Sequence, residues 1–118
     1  PNNSSQYYSC DDNFLATFKY NSGSIANLIY TTFGNNLYPK EFIDFYQDGK
    51  VITINDFREM EIFINQKDKF STKSQDKGYL KEMELFAKSI YSSKLSIPLE
   101  DQFKATEMSF LVEDLIFN

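Results

Sequence analysis

Histidine is absent from all 118 residues of this chain, and cysteine occurs once, at Cys10. Without an imidazole there is no Ser-His-Asp or Cys-His catalysis, and the commonest metal ligand is missing. A lone thiol excludes an internal disulfide and any multi-cysteine zinc or iron–sulfur cluster, so Cys10 reads as an incidental free thiol in a reducing, cytoplasmic setting. Glycine is scarce too. Gly23, Gly34, Gly49 and Gly78 are too scattered for GxGxxG or a P-loop, and no strand–glycine–helix unit is present to hold a dinucleotide. No apolar run approaches the roughly 18–20 residues of a transmembrane helix, and no basic-then-apolar signal segment opens the chain, so no membrane contact is expected. The 12 Lys and Arg are scattered among 17 Asp and Glu, for a net charge of -5. That leaves no basic stripe for nucleic acid.

Aromatic residues, by contrast, are plentiful. With 12 Phe, 8 Tyr and 42% hydrophobic residues, the chain has material for a core and none of the signature of disorder. A chain of this length buries roughly 60–70% of the surface its unfolded form exposes, which suits one domain without staples. Residues 1–12, PNNSSQYYSCDD, are polar and read as a leader or interdomain linker. Because the chain opens on Pro1 and not Met, the true start of the gene product is expected upstream.

The clearest local signal lies in residues 40–57, KEFIDFYQDGKVITINDF. Asp48-Gly49 between two runs of β-branched and aromatic residues calls for a two-residue type I′ loop, because both central positions need φ > 0. That loop pairs Gln47 with Lys50, Phe45 with Ile52 and Ile43 with Ile54. One face is then wholly apolar, and the other carries Phe42, Asp44, Tyr46, Val51, Thr53 and Asn55. A slip of one residue would mix the two sets. An earlier hairpin joins FLATFKY to SIANLIYTT through Asn21-Ser22-Gly23. A two-residue Ser22-Gly23 loop would leave both faces mixed. A three-residue loop with Gly23 left-handed pairs Phe18 with Ala26, Ala16 with Leu28 and Phe14 with Tyr30, and gives one apolar face. The second register is therefore predicted.

A fifth strand is expected from Glu59 to about Gln66, with Met60, Ile62 and Ile64 facing inward. Residues 67–77, KDKFSTKSQDK, show no period and are expected to form a mobile loop. The last third changes to helical spacing. Tyr79, Leu80, Met83, Phe86, Ala87, Ile90 and Tyr91 define one amphipathic helix ending near Ser93; Phe103, Thr106, Phe110, Leu111 and Leu115 define a second, from about Glu100 or Asp101 to Phe117. Strands followed by helices, with no βαβ alternation, make residues 13–118 a single α+β domain: an open, mainly antiparallel sheet of about five or six strands with two C-terminal helices packed on one face.

Few residues in this pattern carry chemistry. Glu41, Asp44, Asp48, Asp56, Glu59 and Glu61 cluster around the central hairpin, but solvated strand ends and a turn Asp account for them, so no catalytic residue and no metal ligand is assigned. Asp76, just before the first helix, reads either as an N-terminal cap or as a contact to substrate.

In order along the chain stand Asn21-Ser22-Gly23-Ser24-Ile25-Ala26, Tyr30, Lys40-Glu41, Asp48-Gly49, Asp56-Phe57-Arg58 and Asp76-Lys77-Gly78. From about Asn13 to the end, this order resembles the C-terminal domain of Gfo/Idh/MocA oxidoreductases, especially sugar-dehydrogenase-like members. The resemblance implies an NAD- or NADP-dependent parent enzyme whose Rossmann domain is missing here. This domain would supply a sheet for subunit packing and part of the wall around a sugar or polyol substrate, with Asp76, Lys77 and Tyr79 on the substrate side. It would bind no cofactor and have no activity alone. Two positions depart from the family: its histidine after Lys-Gly is Tyr79, and its second acidic residue after Lys-Glu is Asp44. The other reading is a free-standing α+β domain that binds a small ligand or a protein, with no enzyme attached.

The second face of the sheet, with Ile29, Phe42, Tyr46 and Val51, is too apolar for open water. A second copy packed about a two-fold axis is the expected cover, with these four residues near its centre. A mixed, solvated sheet face is the alternative.

Overall fold

The computed structural model describes residues 12–117. Cys10 and all of the 1–12 leader except Asp12 lie outside the described residues. The architecture is α+β, with six strands in two open antiparallel sheets followed by two helices. The chain divides into two compact units, Pro1–Gly34 with Ile97–Asn118, and Asn35–Ser96.

The first unit holds β1 (Asn13–Lys19), β2 (Ile25–Thr31) and the C-terminal helix, labelled α2 (Leu99–Phe117). Phe14 faces Tyr30, Ala16 faces Leu28 and Phe18 faces Ala26, which is the three-residue-loop register. Gly23 has φ +89, and its N–H donates to the Tyr20 carbonyl at 2.9 Å, while Tyr20 N–H donates to Ser24 O at 2.9 Å. Phe14, Ala16 and Phe18 are half-buried and Leu15, Thr17 and Lys19 exposed, so the alternation read from sequence sets the face. The far end of the hairpin is tied by Asn13, whose Oδ1 accepts from Thr31 Oγ1 at 2.6 Å and Thr32 N at 3.1 Å.

α2 starts one residue earlier than expected because the Pro98 carbonyl already accepts from Asp101 N. Its covered strip also differs. Met108, Val112 and Ile116 are half-buried, and the Tyr20 hydroxyl lies 3.9 Å from Met108 Sδ, whereas Phe103, Phe110, Leu111 and Leu115 are exposed. Apolar residues surround most of this helix, so spacing alone does not say which strip meets a neighbour.

The second unit is a four-stranded meander, β3 (Phe42–Gln47), β4 (Lys50–Asn55), β5 (Glu59–Phe63) and β6 (Lys67–Ser71), followed by α1 (Tyr79–Ser92). The Asp48-Gly49 turn has φ 48 and 75, and the β3–β4 register is the predicted one. Carried across the sheet, that register lines up Ile43, Ile54, Met60 and Phe70 in one row and Phe45, Ile52, Ile62 and Asp68 in the next, on the same face.

Three expectations are corrected here. The six strands form sheets of two and four, not one sheet. β5 ends at Phe63, and Ile64, expected to face inward, lies in the following turn and is exposed. Residues 67–71, expected to be loop, form β6. Cross-strand chemistry adds to the Met60–Phe70 pair: Lys69 pairs with Glu61 and Lys67 with Phe63, Lys67 Nζ reaches Glu61 at 2.9 Å, and Lys69 Nζ reaches Glu59 at 3.1 Å. Lys67 Nζ also sits 5.3 Å from the Phe63 ring centroid.

In α1, Leu85 is half-buried and Ser89 buried, while the expected stripe of Tyr79, Leu80, Met83, Phe86, Ile90 and Tyr91 is exposed. Ser89 tolerates burial because its hydroxyl donates to the Phe86 carbonyl at 2.7 Å. Among the described residues no hydrophobic side chain is fully buried, so both units present much of their apolar surface outward.

Candidate functional site

Three segments distant in sequence meet at one end of the four-stranded sheet: Lys40-Glu41 before β3, the 56–58 turn between β4 and β5, and the 72–78 linker from β6 to α1. The β3–β4 register brings the first two together, since Phe42 pairs with Asn55 and the residues just outside that pair become neighbours. Asp56 N–H donates to the Glu41 carbonyl at 2.7 Å, and Lys40 N–H donates to Asp56 Oδ1 at 3.3 Å.

The turn itself is strained. Asp56 and Phe57 both lie in the left-handed region, at φ 51 and 50, while Arg58 N–H closes the turn on Asn55 O at 2.9 Å. Asp adopts this conformation readily, but an aromatic residue does so rarely, at a cost of roughly 1–3 kcal/mol. The linker offsets that cost by clipping to the turn's backbone: Thr72 N–H donates to Arg58 O at 2.9 Å and Asp76 N–H to Phe57 O at 3.0 Å.

Side chains complete the clasp. Lys77 Nζ donates to Glu41 Oε1 and lies 5.7 Å from the Phe57 ring centroid. Gln75 Nε2 bridges the two acids, donating to Asp56 Oδ1 at 2.8 Å and Glu41 Oε2 at 3.3 Å. Arg58 Nε pairs with Asp56 Oδ2 at 3.4 Å. The hydrogen bond to Glu41, helped by the charges of Glu41, Tyr79 and Asp56, raises the Lys77 pKa above its ordinary value. Lys77 therefore carries its positive charge at neutral pH.

Asp76 does not cap α1. The residue at that position is Gly78, left-handed at φ 77, and Asp76 Oδ1 accepts from Gly78 N–H at 2.9 Å, one step before the helix. Beside it lies an open groove of about 670 Å³ with Ile54, Met60 and Phe70 as its floor and with Phe57, Arg58, Thr72 and Asp76 also in its lining. A smaller concavity of about 250 Å³ lies among Phe42, Asp44, Thr53, Asn55, Glu59 and Glu61. Asn55 Oδ1 is buried there without a hydrogen-bond partner.

Of the substrate-side residues expected from sequence, Asp76 and Lys77 join this site, and Tyr79 opens α1 as an exposed side chain. Of the expected interface residues, Phe42, Tyr46 and Val51 share one face of the four-stranded sheet, with Tyr46 directly opposite Val51. Ile29 belongs to the two-stranded sheet. Phe42, Tyr46 and Ile29 are 54%, 73% and 76% exposed. Sequence reasoning missed Gln75 and the strained Phe57. Nothing in the sequence marks Gln75; for Phe57, the brevity of the link between two alternating strands was the available signal.

Among the described residues no group of three His, Cys, Asp or Glu could hold a metal ion, and no helix is long and apolar enough to cross a membrane. Among the described residues every strand pairing is antiparallel, and no strand feeds a helix through a glycine-rich turn of a parallel crossover. Compared with known proteins, the chain matches no family model, no curated protein and no solved structure.

Proposed function

We propose that this chain is the substrate-side and oligomerisation domain of an NAD- or NADP-dependent sugar or polyol oxidoreductase, inactive by itself and completed by a Rossmann domain of the same protein. The observation that supports this reading is the meeting of Lys40-Glu41, Asp56-Phe57-Arg58 and Asp76-Lys77-Gly78 at one end of the sheet. These are three of the motifs that carry the resemblance to Gfo/Idh/MocA oxidoreductases. Their hydrogen bonds make them one unit, so a shared role accounts for their shared presence.

The groove beside them suits a polyhydroxylated ligand. Its floor and the Phe57 ring offer apolar surface to the C–H face of a sugar, and Arg58 and Asp76 offer a donor and an acceptor to its hydroxyls. Hydride transfer would fall to the nucleotide-binding half, which would hold the nicotinamide. The face with exposed Phe42 and Tyr46 and half-buried Val51 would pack against a second copy, giving a homodimer. A single cysteine in 118 residues supports a cytoplasmic setting.

Reading the gene upstream of Pro1 tests the proposal: a βαβ unit with a glycine fingerprint is expected, and a start codon at that point overturns it. Titration of this chain with NADH, followed by fluorescence, should give no saturable binding at micromolar concentrations. Sedimentation at tens of micromolar should report a dimer, and Phe42→Glu a folded monomer; an unmodified chain that sediments as a monomer removes the oligomerisation role.

A second reading, a free-standing ligand-binding domain, has one observation in its favour. The groove is built wholly from residues 54–76 and needs no second domain to form.

A further inference from the structure

We draw no further inference here: the strongest candidate, the outward stripe of Met83, Phe86 and Ile90 on α1, is an unpartnered apolar helix face, and nothing in the structure shows what covers it.

Discussion

The hairpins β3–β4 and β5–β6 belong to one sheet and are held together by opposite means. In β3–β4 an Asp-Gly turn fixes the register and rows of isoleucine and phenylalanine fill one face. In β5–β6 the loop 64–66 has no glycine or proline, and the pairing is carried on one face by lysines of β6 against glutamates and Phe63 of β5. The first kind of hairpin is specified locally, by a turn and a period of two. The second is specified only by what lies across from it. A sheet can therefore contain a strand that has no strand signature of its own, provided its neighbour carries the complementary charges.

The largest effect expected in this comparison is at the β3–β4 turn. Gly49 sits at φ +75 in open space, where an added Cβ would meet nothing within 4 Å, so Gly49→Val makes no clash and its cost is backbone strain. The expected cost is about 1–2 kcal/mol, from forcing an L residue into the left-handed region. Urea unfolding would report it as a lower midpoint at unchanged slope; an unchanged midpoint would mean that the turn does not govern the register.

Next comes the strained turn at the clasp. Phe57→Gly relieves roughly 1–2 kcal/mol of left-handed strain while adding about 0.5–1 kcal/mol of chain entropy to the unfolded state. A net gain of up to about 1.5 kcal/mol should appear as a raised urea midpoint. The same variant removes the ring beside Lys77; under the proposed function, weaker sugar binding in a more stable protein is the expected pattern.

The charged pairing is worth less. Lys67→Glu places like charges beside Glu61 and should cost a few tenths of a kcal/mol to about 1 kcal/mol, with part of it recovered in Lys67→Glu combined with Glu61→Lys, which leaves position 61 facing Lys69 with like charge. The difference should shrink in high salt. A cycle with no coupling would show β6 to be held by its backbone alone.

The smallest effect is at alkaline pH. Because the folded-state pKa of Lys77 is raised, the stabilisation it brings is complete below the unfolded lysine value and is lost as pH rises through the folded one. Lys104, raised by its hydrogen bond to Glu100, behaves alike in the same window. Wild type should thus lose stability above about pH 10 more steeply than Lys77→Met, when both are followed by denaturation. Parallel curves would remove Lys77 from the clasp.

These contrasts also explain what could be read in advance. Both registers in β1–β2 and β3–β4 were legible because each turn type allows one pairing, and only one pairing left an apolar face whole. β6 was not, since KDKFS has one aromatic residue and its alternation acquires meaning only beside EMEIF. The helices were legible as helices, but their covered strips were not: in α2 apolar residues surround most of the helix, so spacing does not single out Met108, Val112 and Ile116, and in α1 the covered Leu85 and Ser89 lie off the apolar stripe. At the site, Asp76 and Lys77 were named from motif order. The clasp that joins them to Glu41 depends on a hairpin end and a returning linker, and on Gln75, which no pattern distinguishes.

The lysines of β6 have a consequence for how copies of this sheet could aggregate. β3 and β6 are its two edges. The β6 edge carries Lys67, Asp68 and Lys69, charges that resist a docking strand, whereas the β3 edge, FIDFYQ, has one acid among aromatic and aliphatic residues. Growth by strand addition would then have one permissive end per copy. Two sheets could join β3 to β3, but the assembly would present a lysine-bearing β6 at both outer limits and stop there. Through this sheet, strand addition would stop at a pair, where two permissive edges would propagate a fibre.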